Sequence, residues 1–186
     1  MAEPLTRTLF DDAPLSAAKN PDPTAYGIGH AAKDDVVVGR TVTVNRPRLE
    51  LYAFWRDFRN LPTFMENISS IAVIDARHSH WIVSAPGGKT VEWDAAIEEE
   101  RLGELIAWTS SHSADLRNAG RVEFRDHPAG RGTEVTATII YHPPGGALGT
   151  LVAKLFQKEP KIQTRQDLRR FKQLMETGEV ATACAH

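Results

Sequence analysis

Seven histidines and a run of three glutamates are the groups in this chain best suited to chemistry. His78-Ser79-His80 is the tightest imidazole pair, and it would serve metal ligation or proton transfer if a third ligand stood at a usable spacing. No further His, Cys or clustered carboxylate does so, and the pair falls where a hairpin turn is expected, as solvated turn residues. His112 and His127 fall in loop-like stretches, and His142 adjoins Pro143 at a strand end. A Ser-His-Asp nucleophile requires a strained elbow such as G-x-S-x-G, which this sequence lacks. Glu98, Glu99 and Glu100 are consecutive, so on a regular strand they alternate sides and do not converge as an acid and a base. They read as a wet strand end. Gly27, Gly29 and Ala32 copy the letters of a dinucleotide loop, but Pro21 and Pro23 occupy the place of the strand that must precede it. Cys184 is the single cysteine, too close to the C-terminus to pair internally or join a metal cluster, which fits a reducing compartment. No metal and no cofactor follows from these residues.

The elements that would position such groups are more informative. Val36, Val38, Thr41, Val42, Thr43 and Val44 are β-branched and favour an extended strand. Asn45 offers a helix cap and Pro47 suits a first helical turn. From Leu49 the apolar residues Leu51, Tyr52, Phe54, Trp55 and Phe58 keep helical spacing, until Asn60 and Pro62 end the run. Phe64, Met65 and Ile68 make a second short helix or turn, and Ile71, Val73 and Ile74 begin another strand.

Alternating patterns then predict strands over His80 to Ala85, Thr90 to Glu99, Glu104 to Ser110, Arg121 to Arg125 and Thr133 to Tyr141. Polar residues on every second position argue for an antiparallel sheet with one solvated face. Past His142 to Gly146, Leu148, Leu151, Val152, Leu155 and Phe156 form a helical stripe. It resumes after Pro160 with Ile162, Leu168, Phe171, Leu174 and Met175, and Gly178 caps its end.

A length of 186 residues suits one domain with a sizeable core. Residues 1–35, broken by Pro4, Pro14, Pro21 and Pro23, read as a disordered or loosely docked arm, and 179–186 as a flexible tail. The 22 Lys plus Arg nearly balance the 24 Asp plus Glu, so no nucleic-acid partner is expected. With neither a secretory leader pattern nor a stretch of about 20 apolar residues, the expectation is cytoplasmic.

Residue-level resemblance accompanies this order of elements. Thr43-Val44-Asn45-Arg46-Pro47, Tyr52 to Phe58 and Leu61-Pro62-Thr63-Phe64-Met65 resemble the opening of START/Bet v 1-like (SRPBCC) proteins of the polyketide cyclase/dehydrase and coenzyme Q-binding types. Val91-Glu92-Trp93-Asp94, Ile106-Ala107-Trp108, Asn118 to Phe124 and Gly132-Thr133-Glu134-Val135 are similar to their central strands, and the likeness spans 36–178. It implies an α+β helix-grip fold, in which a curved antiparallel sheet of about seven strands wraps a long C-terminal helix, with two short helices after the first strand. A cavity between sheet and helix would be lined by Phe64, Trp81, Val83, Trp93, Ile97, Trp108, Phe124, Ile139, Tyr141, Leu155, Ile162 and Phe171.

The implied function is binding of a hydrophobic small molecule or lipid. An alternative is a cyclase or dehydratase acting on an aromatic or polyketide substrate through Tyr141, Asn118, Arg121, Ser110 or His142, although Arg121 alternates with Val122 toward solvent and Asn118 beside Gly120 suggests a turn or bulge. A third is a protein- or ribosome-interacting module. The cations from Lys154 to Lys172 fit an ordinary solvated helix face, or an attraction to anionic headgroups worth about 1 kcal/mol each.

Overall fold

The computed structural model describes residues 36–85, 87–111, 114, 116–142 and 160–180. The expected N-terminal arm, the stripe from Leu148 to Phe156 with its candidate Leu155, and the side chain of Ile162 lie outside them. In chain order the elements are β1 (Val36–Val44), α1 (Arg48–Arg56), a 3-10 helix (Phe58–Thr63), β2 (Ile68–Val73), β3 (His78–Ala85), β4 (Lys89–Arg101), β5 (Leu105–Ser110), β6 (Asn118–Asp126), β7 (Thr133–Tyr141) and α2 (Pro160–Thr177). Strands β2 to β7 pair with their neighbours in sequence, and β1 closes the order by pairing with β7. The result is a curled, wholly antiparallel sheet of seven strands, with α2 packed against β1.

Several local expectations are corrected. Pro47, not Asn45, is the N-cap of α1; the Asn45 N–H instead donates to Glu176 Oε1 of α2 at 2.6 Å. The turn after α1 is built earlier than predicted, because Asp57 Oδ1 accepts the Arg59 N–H and starts a 3-10 turn that tolerates Pro62 inside it. His78 and His80 lie in β3 rather than in the hairpin turn. Asn118 and Gly120 belong to β6, which pairs without a bulge on both sides.

A bulge does occur between Ile97 and Glu99 in β4. The extra residue reverses which side each following residue faces. Glu99 is thereby set opposite Ala107 on the outer face, where it pairs with Arg121 at 3.3 Å. Glu100, opposite Ile106, turns inward to α1, accepting from the Tyr52 hydroxyl and from Arg56 Nε. The run of glutamates is exposed, the wet strand end expected of it, and Glu100 in addition ties that end to α1. Burial and the Glu100 charge together push the Tyr52 phenol up to about 12.

Inside the curl, α1 buries Leu51, Tyr52 and Trp55, and the 3-10 helix buries Phe58 and Leu61. Trp55, Phe64 and Phe171 form a triangle of rings with centroids 5.0 to 5.2 Å apart, joining α1, the loop after the 3-10 helix, and α2. The C-terminal end of α2 is fixed by Arg46, which donates to the carbonyls of Met175 and Glu176, and by Lys172, which reaches the Thr43 carbonyl at 2.5 Å. Gly178, at φ 79°, ends the helix by donating to Leu174 O, the left-handed cap expected of it.

Candidate functional site

Register identifies which residues share the concave face. Trp81 stands opposite Trp93, Ile97 opposite Trp108, Trp108 opposite Gly120, Gly120 opposite Ile139, and Asn118 opposite Tyr141. Residues opposite one another across an antiparallel ladder project to the same side. Of the candidate lining residues, Trp81, Val83, Trp93, Ile97, Trp108, Phe124, Ile139 and Tyr141 therefore occupy one continuous surface.

That surface divides into two ends. Phe64, Trp81, Ile97, Trp108, Phe124 and Phe171 belong to the packed core with α1, the 3-10 helix and α2. Phe58 presses edge-on against both Trp81 and Trp108 at 5.4 Å, and Phe64, expected to line the cavity, is 1% exposed within the packed core. Trp93, Ile139 and Tyr141 lie toward the opposite end. Trp93 is half-buried and leans on the core by stacking on Trp81 at 6.0 Å, while Ile139 and Tyr141 stand outside the core cluster.

Polar groups gather at this second end. Ser110 Oγ accepts the Asn118 N–H at 3.0 Å, which brings Ser110, Asn118 and Tyr141 together on β5, β6 and β7. Burial raises the pKa of the Tyr141 phenol, so its hydroxyl remains protonated near neutral pH. The Trp93 indole Nε1 is buried without a hydrogen-bond partner.

Two further groups escaped the sequence reading. Arg40 stands opposite Ala137 on the concave side of β1, between the buried Val38 and Val42. Its signal was present: it is the one charged residue among the inward positions of that strand. Asp167 lies on the buried face of α2 beside Leu168 and Phe171, taking Gln163 Nε2 at 3.0 Å and Arg170 Nη1 at 3.4 Å. Burial lifts its carboxyl to about 7, with the charge of Glu66 adding to the effect and Arg170 opposing it. Arg170 also pairs with Glu66, so it links α2 to the loop before β2.

The remaining candidates face away. Arg121 projects from the outer face as expected, yet it is 8% exposed rather than solvated, held between Glu99 and Glu123. His80 Nδ1 donates to Asp94 Oδ1 at 2.8 Å, a bond that raises the His80 pKa, and His78 pairs with Asp75. Among the described residues no three His, Cys, Asp or Glu side chains are placed to hold a metal ion, and no helix is long and apolar enough to cross a membrane. Of the cations on α2, Arg170 and Lys172 are engaged within the fold.

Short helices after the first strand, a curled seven-stranded antiparallel sheet and a C-terminal helix closing its concave side define the START/Bet v 1-like helix-grip class. Residues 44–169 match the family model described as polyketide cyclase / dehydrase and lipid transport, and the chain belongs to that family. It is similar to a solved protein of Deinococcus radiodurans, 39% identical with a TM-score of 0.65 over 77% of this chain and 99% of that one. A Thermus thermophilus protein is 26% identical, with a TM-score of 0.57 over 74% of this chain and 95% of the other. The di-domain ARO/CYC BexL from the BE-7585A biosynthetic pathway shares the fold at 13% identity and a TM-score of 0.57, over 80% of this chain and 52% of that one. A search of curated proteins finds no match.

Proposed function

We propose that this protein binds and carries a hydrophobic small molecule or lipid in the concavity at the Trp93, Ile139 and Tyr141 end of the sheet, without transforming it. The observation that carries this reading is the division of the concave face. One end is filled by the protein's own aromatic side chains, whereas at the other Trp93 and Ile139 are half-buried, and Tyr141, itself buried, lies on the same face apart from that aromatic cluster. An apolar wall with a few convergent polar groups suits a small-molecule site. The lipid transport named in the family description fits it.

Native mass spectrometry of protein purified from its own host tests the reading. A mass above that of the bare polypeptide, released on denaturation, is the expected result. A bare mass, together with no change in tryptophan fluorescence across quinone, fatty acid and polyketide panels, would refute carriage.

The placement of Ser110, Asn118 and Tyr141 on adjoining strands favours a second reading, cyclisation or dehydration of a polyketide-like substrate. It requires turnover that falls by roughly a hundredfold or more in Tyr141→Phe or Ser110→Ala. A ligand recovered unchanged from both variants and from the parent protein selects carriage.

A further inference from the structure

On the concave face Arg40 is a group with more donors than the acceptors that meet it among the described residues. Its position opposite Ala137, between Val38 and Val42, starts the side chain on the apolar side of β1. There the half-buried guanidinium donates through Nη1 to the neighbouring Gly39 carbonyl at 2.7 Å. Among the described residues no carboxylate pairs with it. A guanidinium carries five N–H donors in a planar fork that matches a carboxylate or phosphate, so a single backbone carbonyl leaves most of its capacity unused.

Two more donors belong to the same face of the sheet, on β4 and β5 rather than beside Arg40. The Trp93 Nε1–H is buried without an acceptor, and Ser110 Oγ, having accepted the Asn118 N–H, keeps its own proton to donate. The carboxylate on the buried face of α2, Asp167, is already occupied by Gln163 and Arg170. An apolar ligand lacking acceptors would leave the remaining donors of Arg40 unmet, whereas one bearing anionic oxygen would satisfy them.

We propose that the ligand is an amphipathic anion, an apolar body carrying a carboxylate or a comparable anionic oxygen group, with Arg40 anchoring that group. The inference rests on the carriage reading above and adds the chemical class of the cargo. Arg40 acts as a binding residue at the β1 edge of the concavity and takes no part in any bond-making step.

Isothermal titration calorimetry on the full chain near pH 7, where carboxylic acids are ionised, decides it with two probe pairs: decanoate against 1-decanol, and 2-naphthoate against its methyl ester. The two acids separate an aliphatic from an aromatic body. At least one acid is expected to bind about tenfold or more tightly than its neutral partner. Arg40→Gln should bring that acid down to the neutral partner's affinity while leaving the neutral compound within about twofold, and Arg40→Lys should keep part of the preference. Circular dichroism of each variant confirms the fold. Equal binding of acid and neutral compound, or a preference that survives in Arg40→Gln, overturns the anchor and leaves the carrier intact. No binding of any of the four probes, in protein first stripped of endogenous ligand, overturns both.

Discussion

Trp108 lies flat across Gly120: a Cβ built at position 120 would fall 2.1 Å from Cζ2 of the indole. The two residues are directly opposite on β5 and β6, and the glycine lets the ring settle onto the strand instead of standing away from it. From that position Trp108 stacks on Trp81 and receives the edge of Phe58. Gly120→Ala is therefore expected to displace the indole and cost about 1 to 3 kcal/mol, the range of overpacked cores. Urea midpoints measure the loss, and an unchanged midpoint with an unshifted tryptophan emission would show that the ring is not pinned there.

Phe171 is the residue through which α2 enters the core. It is fully buried and touches Trp55 and Phe64, each at 5.0 Å, and Phe54 at 6.1 Å. Phe171→Ala is expected to cost about 3 to 5 kcal/mol, as for other buried Phe truncations. Chemical denaturation gives the value directly. A loss under about half a kcal/mol would mean that the helix does not close the concavity as described.

The seven strands were legible because β-branched and aromatic residues alternate with polar ones, and the C-terminal helix because Leu168, Phe171 and Met175 keep helical spacing. What escaped depends on partners distant in sequence. The bulge after Ile97 is a relation between β4 and β5, so the inward turn of Glu100 toward Tyr52 was hidden in three identical letters. Gly120 resembled a turn residue because its reason, the Trp108 ring, lies on another strand. The aromatic residues that could line a cavity were recognisable as a set. Which of them are sealed was not, since Trp81 and Trp108 differ from Trp93 through Phe58, a side chain of the 3-10 helix that packs on the first two.

Asp167 gives the fold a specific pH dependence. Its carboxyl is raised from an ordinary 3.8 to about 7, chiefly by burial. The folded state therefore holds this proton more tightly than the unfolded chain. Stability from the group is complete below the unfolded value and is lost as pH rises through the folded one, at about 1.4 kcal/mol per pH unit over the interval between them. The facing groups are Arg170 and Gln163 on α2 and Glu66 from the loop before β2; Arg170 favours the charged form, and Glu66 opposes it through its charge. Asp167→Asn keeps an acceptor for Gln163 but cannot ionise, so the pH-dependent term should vanish. Unfolding free energies of parent and variant should converge near about pH 4, and the variant should gain on the parent by a few kcal/mol by about pH 8. Because other titrating groups are common to both proteins, their difference isolates this carboxyl. A difference that stays flat over that range would place the Asp167 carboxylate in water rather than beneath α2, and would remove the link through which Glu66, Arg170 and Asp167 join the helix to the loop.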